Sequence, residues 1–292
     1  MGLSIKESKN EEGKVATFGG LELDTQAMVI ILPEKKLLMA REIIRMTRKR
    51  ESLSLLEIKK ITGYLNFASA VVPLVQTFLR CLYNMELYFP PRTRHAKRRL
   101  SREAQKDLAW WAEVLQNPPE RAIARKTREV VLAWSDAASR KGLRGYSLSG
   151  SQTSPRPESA FSITLPPYLA KDKEHINKGE MRAVEQVRLY RGGKWRGKRL
   201  VIHIDNSAVV HGLINQTMRG APMRVLRRCL LLAAAYDLDL EARWVSTTEN
   251  ALADALSRFD LKKIADLAPQ LLPPTCNLQQ RGFLIYDNVD YL

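Results

Sequence analysis

Two acidic residues end apolar stretches that the sequence predicts to be β-strands. Asp136 ends VVLAWSD, one residue after the apolar run VVLAW, and Asp205 follows LVIHI, a continuous apolar run typical of a strand that is covered on both faces. In open α/β sheets, ligands bind at the carboxyl ends of the strands. Both carboxylates are therefore expected at a place where a site can form.

A third acid, Glu180, lies in a helix predicted from about Asn177 to Tyr190. Apolar residues stand three, four and seven positions after Glu180, which places it on the stripe that faces the sheet. Glu185 lies roughly 140° further around the same helix and is expected to be solvated. Because a buried, unpaired carboxylate is costly, Glu180 is predicted to have a compensating cation.

Asp254 is the fourth candidate. It lies in ENALADALSR, near the start of the last predicted helix, and Asn250 is expected to cap that helix. A carboxylate one turn into a helix can face whatever the helix packs against. It can also do no more than complement the helix dipole, and the residues alone leave both readings open.

Carboxylates that cluster at the edge of a sheet repel one another and take up protons unless a cation neutralises them. Hard oxygen ligands with no His or Cys among them suit Mg²⁺ or Mn²⁺. Two such ions about 4 Å apart can activate water and stabilise the leaving oxygen of a phosphodiester. Asp136, Glu180, Asp205 and Asp254 fit this chemistry as metal ligands and catalytic residues; the alternative is four unrelated surface acids.

The composition indicates a polyanionic partner. The 292 residues include 47 Lys and Arg against 31 Asp and Glu, a formal net charge of +16 with a pI of about 9.9. Such a balance favours nucleic acid first and an anionic membrane surface second.

Two basic runs contain no acid: residues 92–102, which also fit a nuclear-import signal, and residues 188–199. The candidate nucleic-acid-binding residues are Arg92, Arg94, Lys97, Arg98, Arg99, Arg102, Lys194, Arg196, Lys198, Arg199 and Asn206.

Cysteine usage and hydropathy bound the compartment. The three cysteines are scattered without a CxxC pair, which argues against a disulfide framework or a zinc site and favours a reducing compartment. The N-terminus has no apolar signal core, and the longest apolar stretches are too short to span a bilayer. We therefore expect a soluble intracellular protein, cytoplasmic or nuclear, with no membrane partner.

The first part of the chain is predicted to be a β-hairpin followed by helices. Residues 1–15 are expected to be disordered, and TFGGLELDTQAMVIIL predicts a hairpin around an Asp-Thr-Gln turn. Four helices should follow up to about residue 120: from Pro33 to Arg50, from the capping box of Ser54 and Glu57, from Pro73 to Tyr88, and from Ser101 to the Pro118-Pro119 pair.

The pattern changes near residue 130. VVLAWSD, GLRGYSLSG and ESAFSITL predict three successive strands, and the remaining elements give the order β-β-β-α-β-α-α-β-α over residues 128–260. This order predicts an α/β domain with a mixed sheet and helices on its faces. Residues 261–292 are expected to be a weakly structured C-terminal tail.

The four acid-bearing motifs resemble those of a known family. In order, WSDAAS, GEMRAV, HIDNSAVV and ENALADALSR are similar to the motifs of retrotransposon ribonuclease H domains. This resemblance implies a ribonuclease H-like fold, two Mg²⁺ ions (or Mn²⁺) bound by the four acids, and a supporting role for Asn250. Upstream, FGGLELDT and ITGYLNFAS resemble the end of a reverse transcriptase and its thumb and tether helices, most like the DIRS group, so that the resemblance covers about residues 16–260.

The chain departs from this family in two respects. No YxDD or other paired-Asp motif occurs, so the polymerase palm site is missing and no DNA synthesis is expected from this chain alone. WVSTTENALAD also lacks the mobile His of cellular ribonucleases H, as similar retrotransposon versions do, and Glu249 is a candidate for its role. His203 shares a strand face with Asp205 and is expected to pack as a structural residue.

Two functions remain open at this stage. The first is an Mg²⁺-dependent endonuclease that cuts the RNA strand of RNA/DNA hybrids, as a fragment of a retrotransposon polyprotein, with a polymerase-bearing subunit as a further partner. The second is a non-catalytic nucleic-acid-binding remnant, either decayed or domesticated. An intact set of four acids favours the first.

Overall fold

A computed structural model describes residues 13–72, 74–90, 96–124, 127–138, 142–150, 152–156, 159–163 and 176–272. The chain divides into two compact units, Met1–Thr127 and Arg128–Leu292. Three residues singled out in the sequence, Pro73, Arg92 and Arg94, lie outside the described residues.

The first unit consists of short strands and helices. Its strands are β1 (Val15–Phe18), β2 (Leu21–Asp24), β3 (Val29–Ile31), β4 (Ser52–Ser54), β5 (Lys97–Arg99) and β6 (Arg121–Ala122). Its helices are α1 (Glu34–Arg48), α2 (Leu55–Ala68), α3 (Arg80–Glu86) and α4 (Arg102–Val114), with a 3₁₀ turn at Gln76–Phe78.

The predicted hairpin is present as β2 and β3. The Asp24 carboxylate accepts hydrogen bonds from the amides of Gln26 and Ala27, both at 2.8 Å, which shapes the turn. β1 pairs with β2 and β6 with β3, all antiparallel, so the hairpin lies at the centre of a four-stranded sheet. The ordered part of this unit therefore extends one strand beyond the predicted limit at residue 120.

Two predicted helix caps of the first unit are present, but one predicted helix is not continuous. The capping box of Ser54 and Glu57 and the Ser101 cap are both confirmed. The continuous helix predicted from Pro73 to Tyr88 is wrong, because Leu74 adopts a left-handed backbone (φ 60°) that no α-helix accommodates. A 3₁₀ turn and the short α3 take its place.

The core of the first unit lies between these helices. Trp111 is fully buried and donates its indole N–H to the Phe78 carbonyl at 3.3 Å, while Trp110 stacks on the Phe78 ring at 4.0 Å. Ile58 and Leu65 of α2 and Ile44 of α1 belong to the same apolar cluster. This packing holds α1, α2 and α4 in fixed positions within the unit.

The second unit is an α/β domain. Its strands are β7 (Val130–Ala138), β8 (Gly142–Ser149), β9 (Ala160–Ile163), β10 (Arg199–Ile204) and β11 (Asp239–Trp244). Its helices are α5 (Ile176–Arg191), α6 (Ser207–Ile214), α7 (Pro222–Ala235), α8 (Ala251–Arg258) and α9 (Leu261–Leu267), followed by a 3₁₀ turn at Pro269–Leu271.

The five strands form one mixed sheet in the order β11-β10-β7-β8-β9. β10 runs parallel to both β7 and β11, whereas β8 pairs antiparallel with β7 and with β9. The element order and the mixed sheet confirm the predicted fold class. The parallel strands β7 and β10 are adjacent in the sheet, so their carboxyl ends lie side by side.

Helices cover both faces of this sheet. Ala137 of β7, Leu143 of β8 and Ala183 of α5 pack together on one face. On the other face, Tyr146 of β8 packs with Leu256 of α8 in a second apolar cluster. Because side chains alternate along a strand, Asp136 lies on the α8 face, next to Ala137 on the α5 face.

The first part of the predicted C-terminal tail is structured. Residues 261–271 form α9 and a 3₁₀ turn, and Ile264, Ala268 and Leu271 are buried against α8. These apolar residues recur every three or four positions, so the segment completes the core on this face of the sheet. The rest of the predicted tail, residues 273–292, lies outside the described residues.

No helix in the described part of the chain is both long and apolar enough to cross a membrane.

Candidate metal centre

The register of β7 and β10 brings two of the predicted acids together. His203 of β10 pairs with Trp134 of β7, and Asp205 and Asp136 each lie two positions further along the chain. Residues two apart point to the same face, so both carboxylates project from the same edge on the same side. The sequence-based prediction for these two acids is consistent with this placement.

Glu180 of α5 completes a cluster of three carboxylates. One carboxylate oxygen of each of Asp136, Glu180 and Asp205 lies within 4.8 Å of those of the other two. Glu180 is buried, with 4% of its surface exposed, as its position on the apolar stripe of α5 predicts. The three acids come from three segments that converge at one edge of the sheet.

The proximity of these acids changes their protonation. Burial, together with the charges of Asp136 and Asp205, raises the pKa of Glu180 to about 9, against a hydrogen bond from the Ala137 backbone. Burial also raises the pKa of Asp136, with contributions from Asp205 and Asp254. The pKa of Asp205 is raised by burial and by Asp254. Each of the three carboxylates therefore costs free energy when it is ionised without a cation.

The cluster fits a divalent cation. The buried Oε2 atom of Glu180 accepts no hydrogen bond from the described residues, so an oxygen with a free lone pair lies beside its two carboxylate neighbours. Three hard oxygen ligands with mutual repulsion suit Mg²⁺ or Mn²⁺ better than a softer metal. Bound positive charge would remove the cost of ionising all three acids.

Asp254 lies beside this cluster but faces other partners. It is in the first turn of α8, and Arg258 Nε contacts its Oδ1 at 2.5 Å. Lys263 Nζ of α9 lies 3.5 Å from its Oδ2. The three-acid cluster does not include Asp254, although its charge acts on both Asp136 and Asp205. The structure thus brings together three of the four predicted acids and places the fourth next to them in an ion pair.

The predicted role of Asn250 as a side-chain cap is wrong. Asn250 occupies the N-cap position of α8, but its side chain makes no capping hydrogen bond. It is fully buried and directs its amide to the Ser135 carbonyl at 3.4 Å. A hydrogen bond from Asn250 also lowers the pKa of Asp205, although burial dominates. The Asn250 side chain therefore does not cap α8 but connects the start of α8 with Ser135 of β7 and with Asp205, which follows β10.

The prediction that Glu185 is solvated is also wrong. Glu185 is only 3% exposed, and Arg228 of α7 forms an ion pair with it at 2.7 Å. The reason is that α7 packs against α5, so a second face of α5 is covered. A periodicity argument that considers only the sheet cannot detect this second partner.

His203 packs as expected. Its ring stacks on Trp134 at 4.5 Å, and Trp134 in turn stacks on Tyr146 at 4.8 Å. Burial lowers the pKa of His203, which favours the neutral ring. Glu249, the candidate for the missing His role, accepts hydrogen bonds from the backbone and hydroxyl groups of Ser246 and so shapes the loop before α8.

The predicted basic residues lie in two different settings. In the first unit, Lys97, Arg98 and Arg99 form strand β5, and Arg102 is exposed at the start of α4. In the second unit, Lys198 and Arg199 precede or begin β10, at the opposite end of that strand from Asp205.

The second run is engaged in contacts within its own unit. Lys198 pairs with Glu129 at 2.8 Å, Arg199 pairs with Glu241, and Arg196 donates to the Ala235 carbonyl at 3.2 Å. Lys194, in contrast, is exposed.

Asn206 lies next to the carboxylate cluster. Its side chain caps α6 by accepting a hydrogen bond from the Val209 amide at 3.2 Å. Its amide group also donates to the Asn177 side chain of α5 at 3.0 Å. A pair of amides therefore borders the cluster, one residue after Asp205 and three before Glu180. Asn177 was not among the residues predicted from the sequence.

The structure shows a further basic surface that was not predicted from the sequence. A groove of about 340 Å³ between α1 and α2 in the first unit combines positive charge with aromatic rings. It is lined by Lys36, Lys59, Lys60, Gly63, Tyr64 and Phe67. Lys60, Tyr64 and Phe67 are spaced at i, i+4 and i+7, which would have placed them on one face of α2.

Comparisons with known proteins give structural matches only. No protein-family model and no curated protein sequence matches the chain. The solved N-terminal ribonuclease H domain of a Mycobacterium tuberculosis protein, fused to maltose-binding protein, is similar at 12% identity with a TM-score of 0.37, over 47% of this chain and 97% of that one.

Two further similar structures have the same character. Ribonuclease H1 from the archaeon Halobacterium salinarum is 19% identical with a TM-score of 0.36, over 46% of this chain and 98% of that one. A foamy viral protease–reverse transcriptase in complex with double-stranded DNA is 13% identical with a TM-score of 0.32, over 80% of this chain and 45% of that one.

Proposed function

We propose that this chain is a divalent-metal-dependent endonuclease that hydrolyses the RNA strand of RNA/DNA hybrids. The observation that carries the proposal is the convergence of Asp136, Glu180 and Asp205 from three segments, with ligand oxygens within 4.8 Å of one another. Buried carboxylates at this separation destabilise the folded protein unless a cation neutralises them, and such clusters are typical of functional sites. Bound divalent cations would supply the neutralising charge.

The chain's own residues would hold the metal and the substrate. Asp136, Glu180 and Asp205 would supply the first ligands, and Asp254, whose charge acts on Asp136 and Asp205, would add a fourth carboxylate. Mg²⁺ bound here would activate water and stabilise the leaving oxygen of a phosphodiester. A hydrogen bond from Asn250 would help to orient the Asp205 carboxylate before a metal binds.

Recognition of the substrate would rest on groups around the cluster and in the first unit. The paired amides of Asn206 and Asn177 offer hydrogen-bonding groups within a few residues of Asp205 and Glu180. A formal net charge of +16 supports attraction to any nucleic acid. The α1–α2 groove, with lysines around aromatic rings, has the composition of a surface that grips a phosphate backbone and stacks on bases or sugars.

We infer further that the chain is part of a retrotransposon reverse transcriptase, most like the DIRS group. The support is the order of the four acid-bearing motifs and the ITGYLNFAS segment, which forms the second half of α2. No paired-Asp palm motif occurs in these 292 residues, and a polymerase-bearing retroelement subunit is a further proposed partner. Pure protein should therefore incorporate no dNTP on a primed RNA template.

One assay tests the proposed activity. A hybrid with its RNA strand end-labelled is incubated with the full chain in Mg²⁺, in Mn²⁺ and in EDTA, and the products are separated on a gel. We expect internal cleavage of the RNA strand with either metal and none in EDTA. The same RNA in a duplex with RNA, and the DNA strand of the hybrid, should remain intact.

The assay also distinguishes the alternative function. Binding of the hybrid in a gel-shift experiment without cleavage in either metal would favour a non-catalytic nucleic-acid-binding remnant. Cleavage that persists in EDTA would refute a metal-dependent mechanism. Asp136→Asn and Asp205→Asn each remove one ligand and should abolish cleavage while hybrid binding persists, which separates the site from a contaminating nuclease.

A further inference from the structure

Asp254, the fourth predicted carboxylate, forms ion pairs with two basic side chains of the same chain. Both oxygens of Asp254 have positively charged neighbours, with Arg258 Nε at 2.5 Å from Oδ1 and Lys263 Nζ at 3.5 Å from Oδ2. The Asp254 side chain is only 14% exposed, so these contacts are partly shielded from water. A metal ion that takes Asp254 as a ligand competes with these two cations for the same carboxylate oxygens.

Lys263 lies on α9, within the segment predicted from the sequence to be a weakly structured C-terminal tail. Its position is fixed from two sides. The Asp260 carboxylate accepts a hydrogen bond from the Lys263 backbone amide at 3.1 Å and so caps the helix. The next residue, Ile264, is 2% exposed and anchors α9 in the core shared with α8. The backbone of Lys263 is therefore fixed by the fold, and its ammonium group lies 3.5 Å from Asp254 beside the proposed metal site.

Arg258 also interacts with the rest of the cluster. Its guanidinium lowers the pKa of Asp136, and its own pKa is raised by Asp254 first and then by Asp136 and Asp205. A positive charge therefore already lies near the acids, on the side of Asp254. Such a charge repels an incoming divalent cation as well as holding the carboxylate that the cation would use.

We propose that Lys263, together with Arg258, is a built-in counter-cation for Asp254 that competes with divalent metal and weakens the binding step that recruits this carboxylate. The inference rests on the proposed metal site at Asp136, Glu180 and Asp205. Metal binding to those three acids would break no ion pair of theirs with Lys263, whereas recruitment of Asp254 would compete with the contact between Lys263 and Asp254 Oδ2. The metal content of the site then depends on α9, an element outside the predicted domain limit at residue 260.

The test measures metal binding to the full chain without nucleic acid, by Mn²⁺ electron paramagnetic resonance and by calorimetry with Mg²⁺. Lys263→Gln removes the charge, and Lys263→Arg keeps it. Lys262→Gln removes the same charge from an exposed neighbour on the same helix and is the matched control. We expect the weaker metal-binding step to tighten about three- to ten-fold in Lys263→Gln, because an ion pair is lost and a repulsion is relieved. Lys263→Arg and Lys262→Gln should bind within about two-fold of the parent.

A double-mutant cycle identifies the partner. If Lys263 acts through Asp254, Asp254→Asn should remove most of the difference in metal affinity that Lys263→Gln causes, whereas Asp266→Asn, on the same helix as Lys263, should preserve that difference. Equal metal affinity of the parent and Lys263→Gln would overturn the inference and leave the proposed function intact. Absence of Mn²⁺ binding by the parent, or binding that survives Asp136→Asn with Asp205→Asn, would overturn both.

Discussion

Glu185 and Arg228 form a two-point ion pair between α5 and α7, with Nε–Oε1 and Nη2–Oε2 distances of 2.7 and 2.8 Å. On the same helix, five residues earlier, Glu180 faces two other carboxylates. One helix thus carries a glutamate that is stabilised by its neighbours and another that is destabilised by them. The two should respond in opposite ways to the loss of their charge.

Glu185→Gln should destabilise the protein, because the buried Glu185 position loses its two charge-assisted contacts with Arg228. We expect a loss of about 1–3 kcal/mol in the free energy of unfolding, at the lower end because Arg228 is half exposed. Urea titration of the parent, of Glu185→Gln, of Arg228→Gln and of the double variant measures the coupling. Additive effects of the two substitutions would show that the pair contributes nothing.

Glu180→Gln should stabilise the metal-free protein at alkaline pH. The folded pKa of Glu180 is raised to about 9 from its usual value of 4.5, so the unfolded chain releases this proton at lower pH than the folded chain. Stability that is fully present below about pH 4.5 is therefore lost as pH rises towards 9, by an amount on the order of a few kcal/mol. The glutamine variant has no such proton to lose.

Thermal unfolding at several pH values in EDTA checks this prediction. The parent and Glu180→Gln should have similar melting temperatures near pH 4.5, and the variant should melt higher at pH 8. Mg²⁺ should raise the melting temperature of the parent at pH 8, because the bound cation stabilises the folded state with Glu180 ionised. It should have little effect on the variant, which lacks this carboxylate. A variant that melts lower than the parent at pH 8 would mean that Glu180 is not in a repulsive cluster.

Asp205→Asn should abolish hybrid cleavage while leaving the fold intact. The substitution keeps size and hydrogen bonding but removes a charge that would bind divalent metal, so cleavage should fall by several orders of magnitude. Without metal, stability should hold or rise slightly, since repulsion with Asp136 and Glu180 is relieved. Single-turnover cleavage and thermal unfolding measure the two effects.

Asp266→Asn on α9 is the control for Asp205→Asn, because it removes an exposed carboxylate of the same unit. It should cleave like the parent. Full activity in Asp205→Asn would refute the metal centre, and loss of activity in both variants would point to a general effect of charge. Glu185→Gln, which the sequence would suggest as a solvated control, is unsuitable because Glu185 is buried in an ion pair.

The sequence predicts the carboxylate cluster because its members obey local rules. Asp136 and Asp205 end apolar runs, and Glu180 lies on the apolar stripe of its helix, so strand register and helix periodicity bring them together. The element order of the second unit is predictable for the same reason. Each of these inferences needs only the alternation or period of one element and one rule about sheets.

The errors arise where a side chain has more than one neighbour to choose from. Glu185 has the period of a solvated residue, but α7 covers that face. Asn250 occupies a cap position, yet its buried amide is used by Ser135 and Asp205. Lys263 could not be connected to Asp254 from the sequence, since the contact depends on how α9 packs on α8. Tertiary packing decides each case.

The two basic runs should contribute unequally to hybrid binding. Lys97, Arg98 and Arg99 are exposed on β5, and the contact of Arg99 with Glu51 within the described part of the chain is 3.6 Å long, so we expect these charges to reach phosphates. Lys198 and Arg199 are paired with Glu129 and Glu241 at the end of β10 opposite to Asp205. A charge that is already paired releases few counterions from the nucleic acid when it approaches a phosphate.

We therefore expect the triple substitution of Lys97, Arg98 and Arg99 by glutamine to weaken hybrid binding several-fold, and Lys198→Gln with Arg199→Gln to weaken it less than about two-fold. Fluorescence anisotropy across a salt series measures both, since each lost phosphate contact reduces the log–log slope by about 0.9. The triple variant should lose about 2–3 in slope and the double variant none. Single-turnover cleavage at saturating protein should be nearly unchanged in the triple variant, because the substituted residues grip the substrate and do not hold metal. A slope near zero in the parent would remove the electrostatic account of binding, and equal effects of the two sets would show that the ion pairs of β10 open on contact with the hybrid.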